Sequence, residues 1–347
     1  MNHYDLIVVG SGPAGRRAAI QAAKLDKTAL VIERGRRVGG VSVHTGTIPS
    51  KTLRETALNL TGWRERGFYG KSYRVKQDIS ADDLRRRLLI TLDHEVAVLE
   101  HQFDRNRVQH MLGTARFIDP NTLEVEKGDG ELLRVSADSI LLAVGTRPYR
   151  PTTIPFDGKS IIDSDELLEI ASVPRSLIVV GAGVIGIEYA TIFSALDTQV
   201  TVVEPRQTML DFIDKEIVED FTYQLRDRNM KLIFGQTVDK VEKDDNGKCR
   251  IELSNGRVLQ SEMVLFAAGR VGATDTLNLS AAGLEVDSRG RLKVNPETFQ
   301  TAVPHIYAAG DVVGFPSLAS TSMEQGRIAA RHAVGAPASE PPQFFPY

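Results

Sequence analysis

Two sets of three glycines and one acid carry the clearest chemistry in this sequence of 347 residues. Gly10, Gly12 and Gly15 follow the apolar run Leu6-Ile7-Val8-Val9, and Glu33 ends a second run, Ala29-Leu30-Val31-Ile32. Gly181, Gly183 and Gly186 follow Leu177-Ile178-Val179-Val180, and Glu204 ends Val200-Thr201-Val202-Val203. The copies are offset by 171 residues, and in both the acid lies 23 residues after the first glycine. Such a triplet between a strand and a helix suits a dinucleotide. The first glycine allows the tight turn, the second lets the backbone approach a pyrophosphate, and the third lets helix and strand pack closely. The helix N-terminus offers unpaired N–H groups and a partial positive charge to the phosphates. The acid accepts hydrogen bonds from ribose hydroxyls. One triplet alone is weak; two, each with strand, helix and acid in order, specify two dinucleotide sites.

The motifs require two βαβ units to position them. Outside those units, residues 50–62 read as a helix with Ser50 as a candidate N-cap. Residues 79–103 read as a longer helix, with Ser80 and Asp83 spaced as a capping box. Residues 107–143 and 231–265 hold short β-rich segments broken by turn signals such as Asp119-Pro120-Asn121 and Asn255-Gly256. The expected fold class is α/β: two Rossmann-like nucleotide-binding domains, each with a central parallel sheet and a small antiparallel β-meander.

Composition narrows the alternatives. The length suits two domains, each able to bury its own core. A net charge of −3 leaves no electrostatic footprint for nucleic acid or an anionic membrane. The single cysteine, Cys249, excludes an intramolecular disulfide and a cysteine-based zinc site, and it fits a reducing cytoplasm. Residues 176–196 are apolar, but Gly181, Gly183, Gly186 and Glu188 make them a strand, turn and helix rather than a membrane span. The N-terminus lacks the pattern of a signal peptide. No group of His, Asp and Glu has metal-ligand spacing, so no metal is expected. His44 reads as a polar packing residue and Arg85-Arg86-Arg87 as a solvated face.

Further motifs resemble a family. Val38-Gly39-Gly40 and Thr45-Gly46-Thr47-Ile48-Pro49-Ser50-Lys51 are similar to the active-site helix of the pyridine nucleotide–disulfide oxidoreductases. Leu142-Ala143-Val144-Gly145-Thr146-Arg147-Pro148 and His305-Ile306-Tyr307-Ala308-Ala309-Gly310-Asp311 extend the likeness over essentially the whole chain. The resemblance implies FAD on Gly10, Gly12, Gly15 and Glu33, with Gly40, Gly46, Lys51, Ala115, Gly145, Asp311 and Ala319 on the same cofactor. It implies the nicotinamide nucleotide, NAD or NADP, on Gly181, Gly183, Gly186, Glu188, Glu204, Arg206 and Gly269. The implied domains are an FAD domain over residues 1–147 and 271–335, a nicotinamide domain over 148–270, and a linker or tail over 336–347.

The family's disulfide reductases carry cysteines where this chain has Ser42 and Thr47. Neither hydroxyl forms a disulfide, so dithiol chemistry is ruled out and flavin chemistry remains. The segment from Gly46 to Glu55 and Ser322-Met323-Glu324-Gln325-Gly326-Arg327 resemble the soluble, Si-specific pyridine nucleotide transhydrogenases. That likeness implies hydride transfer between NADPH and NAD⁺ through the flavin. Lys51 and Glu188 are its expected catalytic pair, Lys51 as the cation that stabilises reduced flavin and Glu188 as its partner. Glu204 suits NAD and repels a 2′-phosphate, whereas Arg206 could meet one. A flavin diaphorase or NADH oxidase, and an inactive flavin-binding remnant, are the competing readings. The last reflects an expectation that the chain stops before the interface domain through which relatives form homodimers.

Overall fold

A computed structural model describes residues 2–70, 72–244 and 246–337; most of the expected tail, residues 338–347, lies outside the described residues. The chain divides into two units, residues 1–44, 92–147 and 270–347 in the first, and 45–91 and 148–269 in the second.

In the first unit the strands Asn2–Val9 and Ala29–Glu33 pair in parallel, with Val9 opposite Ile32. Within them Leu6–Val9 and Ala29–Ile32 are continuous, buried apolar runs because both faces of a parallel sheet are covered. Gln109–Leu112 extends the sheet on one side, and Leu132–Leu142 on the other. This last strand is long enough to do two jobs. Its first residues pair antiparallel with Thr122–Glu126, which pairs with Thr114–Asp119, and its last residues pair parallel with Ile306–Ala308. The meander is thus continuous with the parallel sheet, in one seven-stranded sheet. Ile7, Val9, Leu30, Ile32, Phe117, Leu123, Ile140 and Leu142 form its core on one face. On the other, the helix Pro13–Ala23 meets the helix Ala319–Ala333 where Gly326 faces Ala14. A Cβ at Gly326 would lie 2.1 Å from the Ala14 carbonyl oxygen, so glycine is required for the crossing.

The second unit repeats the plan. Ser176–Val180 and Gln199–Glu204 pair in parallel with Val180 opposite Val203, inside a five-stranded all-parallel sheet. Here the meander, Val238–Lys243, Cys249–Leu253 and Val258–Ser261, is a separate sheet. The helix expected over 50–62 begins earlier and covers Thr47–Leu60. Pro49 falls in its first turn, where a missing N–H loses no intrahelical bond, so the helix can start before the proline. The Ser80–Asp83 capping box is present: Ser80 N donates to Asp83 Oδ2 at 2.9 Å and Asp83 N to Ser80 Oγ at 3.2 Å. Among the described residues no helix is long and apolar enough to cross a membrane, and residues 176–196 are a strand and a helix.

The chain leaves the first unit after Arg147 and re-enters it at Arg270. Arg270 secures that point, its Nε donating to Thr146 Oγ1 and its Nη2 to the Thr146 carbonyl, both at 2.9 Å. A second tie holds the start of the first sheet. Asp5 accepts hydrogen bonds from the Thr28 hydroxyl (2.6 Å) and N–H (2.8 Å) and pairs with Lys27. The Thr28 bonds, with a smaller effect of Lys27, hold its carboxyl at about 2 rather than 3.8. The folded pKa is depressed, so this stabilisation is complete above the unfolded value near 4 and is lost as pH falls toward 2. Asp5→Asn is expected to cost about 1–2 kcal/mol at pH 7 and to flatten stability between pH 5 and 2, as read by urea unfolding across pH.

Candidate dinucleotide sites

The two glycine loops share one geometry down to individual hydrogen bonds. In the first unit, Glu33 is buried and its Oε2 accepts the Ser11 N–H at 2.9 Å, while its Oε1 accepts the Gly35 N–H at 2.6 Å. In the second, Glu204 is buried, its Oε2 accepts the Ala182 N–H at 2.6 Å, and its Oε1 accepts the Arg206 N–H at 3.1 Å. Each acid therefore braces the residue after the first glycine and the residue two places after itself. A carboxylate has about four lone-pair sites. Glu33 uses three of them, for the Ser11 N–H and hydroxyl and the Gly35 N–H, which leaves one for a ribose hydroxyl. Glu204 uses all four, two of them for the Arg206 guanidinium. The loops differ in a side chain: the Ser11 hydroxyl also donates to Glu33 and accepts the Gly39 N–H at 2.8 Å, whereas the Arg206 guanidinium reaches Glu204.

The glycines separate into those that the fold needs and those that it does not. Gly10 (φ +103) and Gly181 (φ +107) turn where a Cβ would lie 2.4 Å from a carbonyl oxygen, of Ala143 and of Ala267. A Cβ at Gly15 or Gly186 would lie about 2 Å from the carbonyl oxygen of Gly10 or Gly181. Gly12 and Gly183 are different. Their φ values, −63 and −77, suit any residue. A Cβ at Gly12 would meet nothing closer than Gly40 Cα at 4.0 Å, and one at Gly183 nothing within 4 Å. Each is the N-cap of a helix, Pro13–Ala23 or Val184–Ala195, and neither helix has an acid in its first turn. Protein packing does not explain these two glycines; the space they leave is what the expected approach of a pyrophosphate to a helix N-terminus would need.

The other expected FAD residues fall as follows. Gly40 (φ +62) begins the helix Gly40–His44, and a Cβ there would lie 2.8 Å from Gly12 Cα. Ala115 is buried in the strand Thr114–Asp119, Gly145 (φ +66) turns after Leu132–Leu142, and Ala319 opens the helix Ala319–Ala333. Asp311 is half-buried and accepts the Ser322 hydroxyl at 3.4 Å; burial pushes its carboxyl up, against the charge of Arg270 and the Ser322 bond. A carboxylate with so few donors suits a ligand rich in hydroxyls. Gly46 and Lys51 lie in the second unit, Gly46 as the N-cap of Thr47–Leu60.

In that second unit Lys51 Nζ pairs with Glu188 Oε1. The lysine side chain is 61% exposed and the glutamate 17%, so the acid is the fixed member and the ammonium the accessible one. Gly269 (φ +108) accepts the Tyr149 N–H at 3.0 Å. Burial acts against ionisation of Glu204, yet the Arg206 guanidinium and the two N–H donors outweigh it and hold the carboxyl below its ordinary value.

Ser42 Oγ donates to the Gly39 carbonyl oxygen at 3.3 Å, and Thr47 is the exposed first residue of its helix. Cys249 is buried, and that burial raises its thiol pKa. His44 bonds the Val38 carbonyl oxygen at 2.9 Å, a packing role. Among the described residues no group of His, Cys, Asp and Glu could hold a metal. Sequence reasoning missed Ser11 and Asp211. Position within the triplet could have signalled the first; nothing local signals the second, which is found only through its bond to Arg206.

Gly12→Ala and Gly183→Ala are expected to leave the apo fold within about 0.5 kcal/mol of the parent, as read by thermal unfolding. Each is expected to weaken binding of its own dinucleotide about tenfold or more, as read by FAD retention for the first and by nucleotide titration for the second.

Comparisons with known proteins agree with this geometry. The family model for pyridine nucleotide-disulphide oxidoreductases matches residues 4–326. A soluble pyridine nucleotide transhydrogenase of Mycobacterium tuberculosis (strain ATCC 25177 / H37Ra) is 52% identical over 338 residues, covering 97% of this chain and 72% of that protein. One of Colwellia psychrerythraea is 40% identical over 327 residues, covering 94% and 70%. This chain is thus shorter than those relatives. The crystal structure of LpdA from Mycobacterium tuberculosis superposes with a TM-score of 0.87 at 27% identity, covering 98% of this chain and 74% of that one. With both glycine loops, their bracing acids and a match over almost the whole length, the chain belongs to the pyridine nucleotide-disulphide oxidoreductase family.

Proposed function

We propose that this chain is an FAD-dependent NAD(P)⁺ transhydrogenase, which moves hydride between NADPH and NAD⁺ without a redox disulfide. The observation that carries the reading is the pairing of two intact dinucleotide loops with hydroxyl residues, Ser42 and Thr47, where the dithiol of a disulfide reductase would be. The names of the relatives support it. We assign FAD to the domain of residues 1–147 and 271–335, and the nicotinamide nucleotide to residues 148–270. A single, buried cysteine supports a cytoplasmic setting.

The flavin supplies the capacity to accept a hydride from one nicotinamide and return it to another. The chain's residues supply position and charge. The N–H groups at the start of Pro13–Ala23 and Val184–Ala195 receive the two pyrophosphates, over Gly12 and Gly183. Glu33 would offer its remaining lone pair to one adenosine ribose, and Glu204 would take a hydroxyl of the other in place of its long bond from Arg206 Nη2, 3.3 Å. Asp311 receives hydroxyls of the flavin's side chain. Lys51 would supply positive charge to a bound flavin and so favour its reduced form, and Glu188 pairs with its ammonium. Both nucleotides use the same site in turn, a ping-pong exchange.

Anaerobic addition of NADPH to the yellow holoenzyme should bleach the flavin, and NAD⁺ should then restore the colour with NADH formed in step. Bleaching without recovery by NAD⁺, together with fast turnover on a quinone or dye, would replace this reading with a diaphorase. No bleaching by either reduced nucleotide would remove enzymatic hydride transfer altogether. Lys51→Met is expected to slow flavin reduction by about 10²-fold with FAD content unchanged, as read by stopped-flow absorbance.

A further inference from the structure

The Arg206 guanidinium is shared between two acids on its two sides. Its Nε donates to Glu204 Oε1 at 2.8 Å and its Nη2 to Glu204 Oε2 at 3.3 Å, a side-on grip on a carboxylate that is almost fully buried. Its Nη1 donates to Asp211 Oδ1 at 2.7 Å. The Asp211 side chain is 52% exposed and that of Arg206 45%, so this outer bond can exchange with a ligand. Both acids support the arginine, whose guanidinium is held firmly protonated, by Glu204 first and Asp211 second.

The backbone that carries these side chains is pinned. Arg206 accepts the Gly235 N–H at 3.0 Å, and Glu204 accepts the Gln236 N–H at 3.2 Å through its carbonyl oxygen. Met209 and Leu210, just before Asp211, are buried. Leu210 N donates to the carbonyl oxygen of Ala182, in the glycine loop, at 3.3 Å. Asp211 therefore hangs from a loop fastened to the dinucleotide loop itself, with its side chain free to leave Arg206. Glu204 alone accepts a ribose diol but repels a phosphate. With the Nε edge of Arg206 neutralising Glu204, the Nη1 side remains for a second anion.

We propose that Asp211 is a specificity-determining residue: its carboxylate holds the face of Arg206 that the 2′-phosphate of NADP(H) would take, and so sets the balance between the two nucleotides. NAD(H) binds with the Arg206–Asp211 bond intact. NADP(H) binds by exchanging one anion, the Asp211 carboxylate, for another, its own phosphate. Glu204 keeps its cation in both cases, which is how one site serves both nucleotides. The inference rests on the assignment of nucleotide binding to this loop.

The test is calorimetric titration of the holoenzyme with adenosine 2′,5′-bisphosphate and with 5′-ADP, which differ in the 2′-phosphate. Asp211→Ala is expected to tighten the bisphosphate about three- to fivefold and to leave 5′-ADP within about twofold. Arg206→Gln is expected to weaken the bisphosphate about tenfold or more, and 5′-ADP far less. Glu219→Gln, an exposed acid on the helix Lys215–Asp227, removes the same charge and controls for long-range repulsion. If Asp211→Ala binds the bisphosphate as the parent does, or no better than Glu219→Gln does, while 5′-ADP still binds, the restraint by Asp211 is wrong and the nucleotide site stands. If neither probe binds the parent, the site assignment fails and the inference falls with it.

Discussion

The structure depends on a carboxylate held out of water at the end of the second strand of each βαβ unit. Burying such a group is costly unless it is hydrogen-bonded, and both Glu33 and Glu204 are satisfied by the backbone N–H groups of the loops they serve. Bonds to an ionised acceptor are worth about 1.5–3 kcal/mol each. Each acid therefore serves the fold itself. It closes the glycine loop against the strand, so the helix N-terminus points its free N–H groups at one place before any ligand arrives. Preorganisation of this kind lowers the entropy lost on binding.

The same acids also mark where two nearly identical loops differ. The loop geometry is common; what varies is the side chain that shares the acid. Ser11 keeps Glu33 within a local network of uncharged donors that also ties down Gly39. Arg206 instead brings a full positive charge to Glu204, and with it a route to a second anion. A difference of one side chain on a shared frame turns one loop into a closed fitting and leaves the other adjustable.

Much of this was legible in the sequence, because the determinants are local. Glycine spacing, apolar runs and the terminal acids gave both βαβ units, and the Ser80–Asp83 spacing gave its capping box. The start of the helix Thr47–Leu60 was misplaced because Ser50 looked like a cap, whereas a proline in the first turn allowed an earlier start. The role of Ser11 and the bond of Asp211 to Arg206 were not legible, since both follow from where loops return in space. No local pattern signals that the segment 45–91 groups with residues 148–269. Helical and strand patterns record each element's period but not which sheet it joins.

The clasp between Arg270 and Thr146 marks where one unit is interrupted by the other. On the ribosome this ordering has a cost in time. The strand Ile306–Ala308, Asp311 and the helix Ala319–Ala333, which complete the first unit, are synthesised after the whole of residues 148–269. Domains fold as their segments emerge, so the inserted unit can close first. The N-terminal strands meanwhile wait with the Leu132–Leu142 edge open where Ile306–Ala308 will pair. The unit made first in sequence is thus the one finished last, and its exposed sheet edge is the stage of folding most open to aggregation and to chaperone capture.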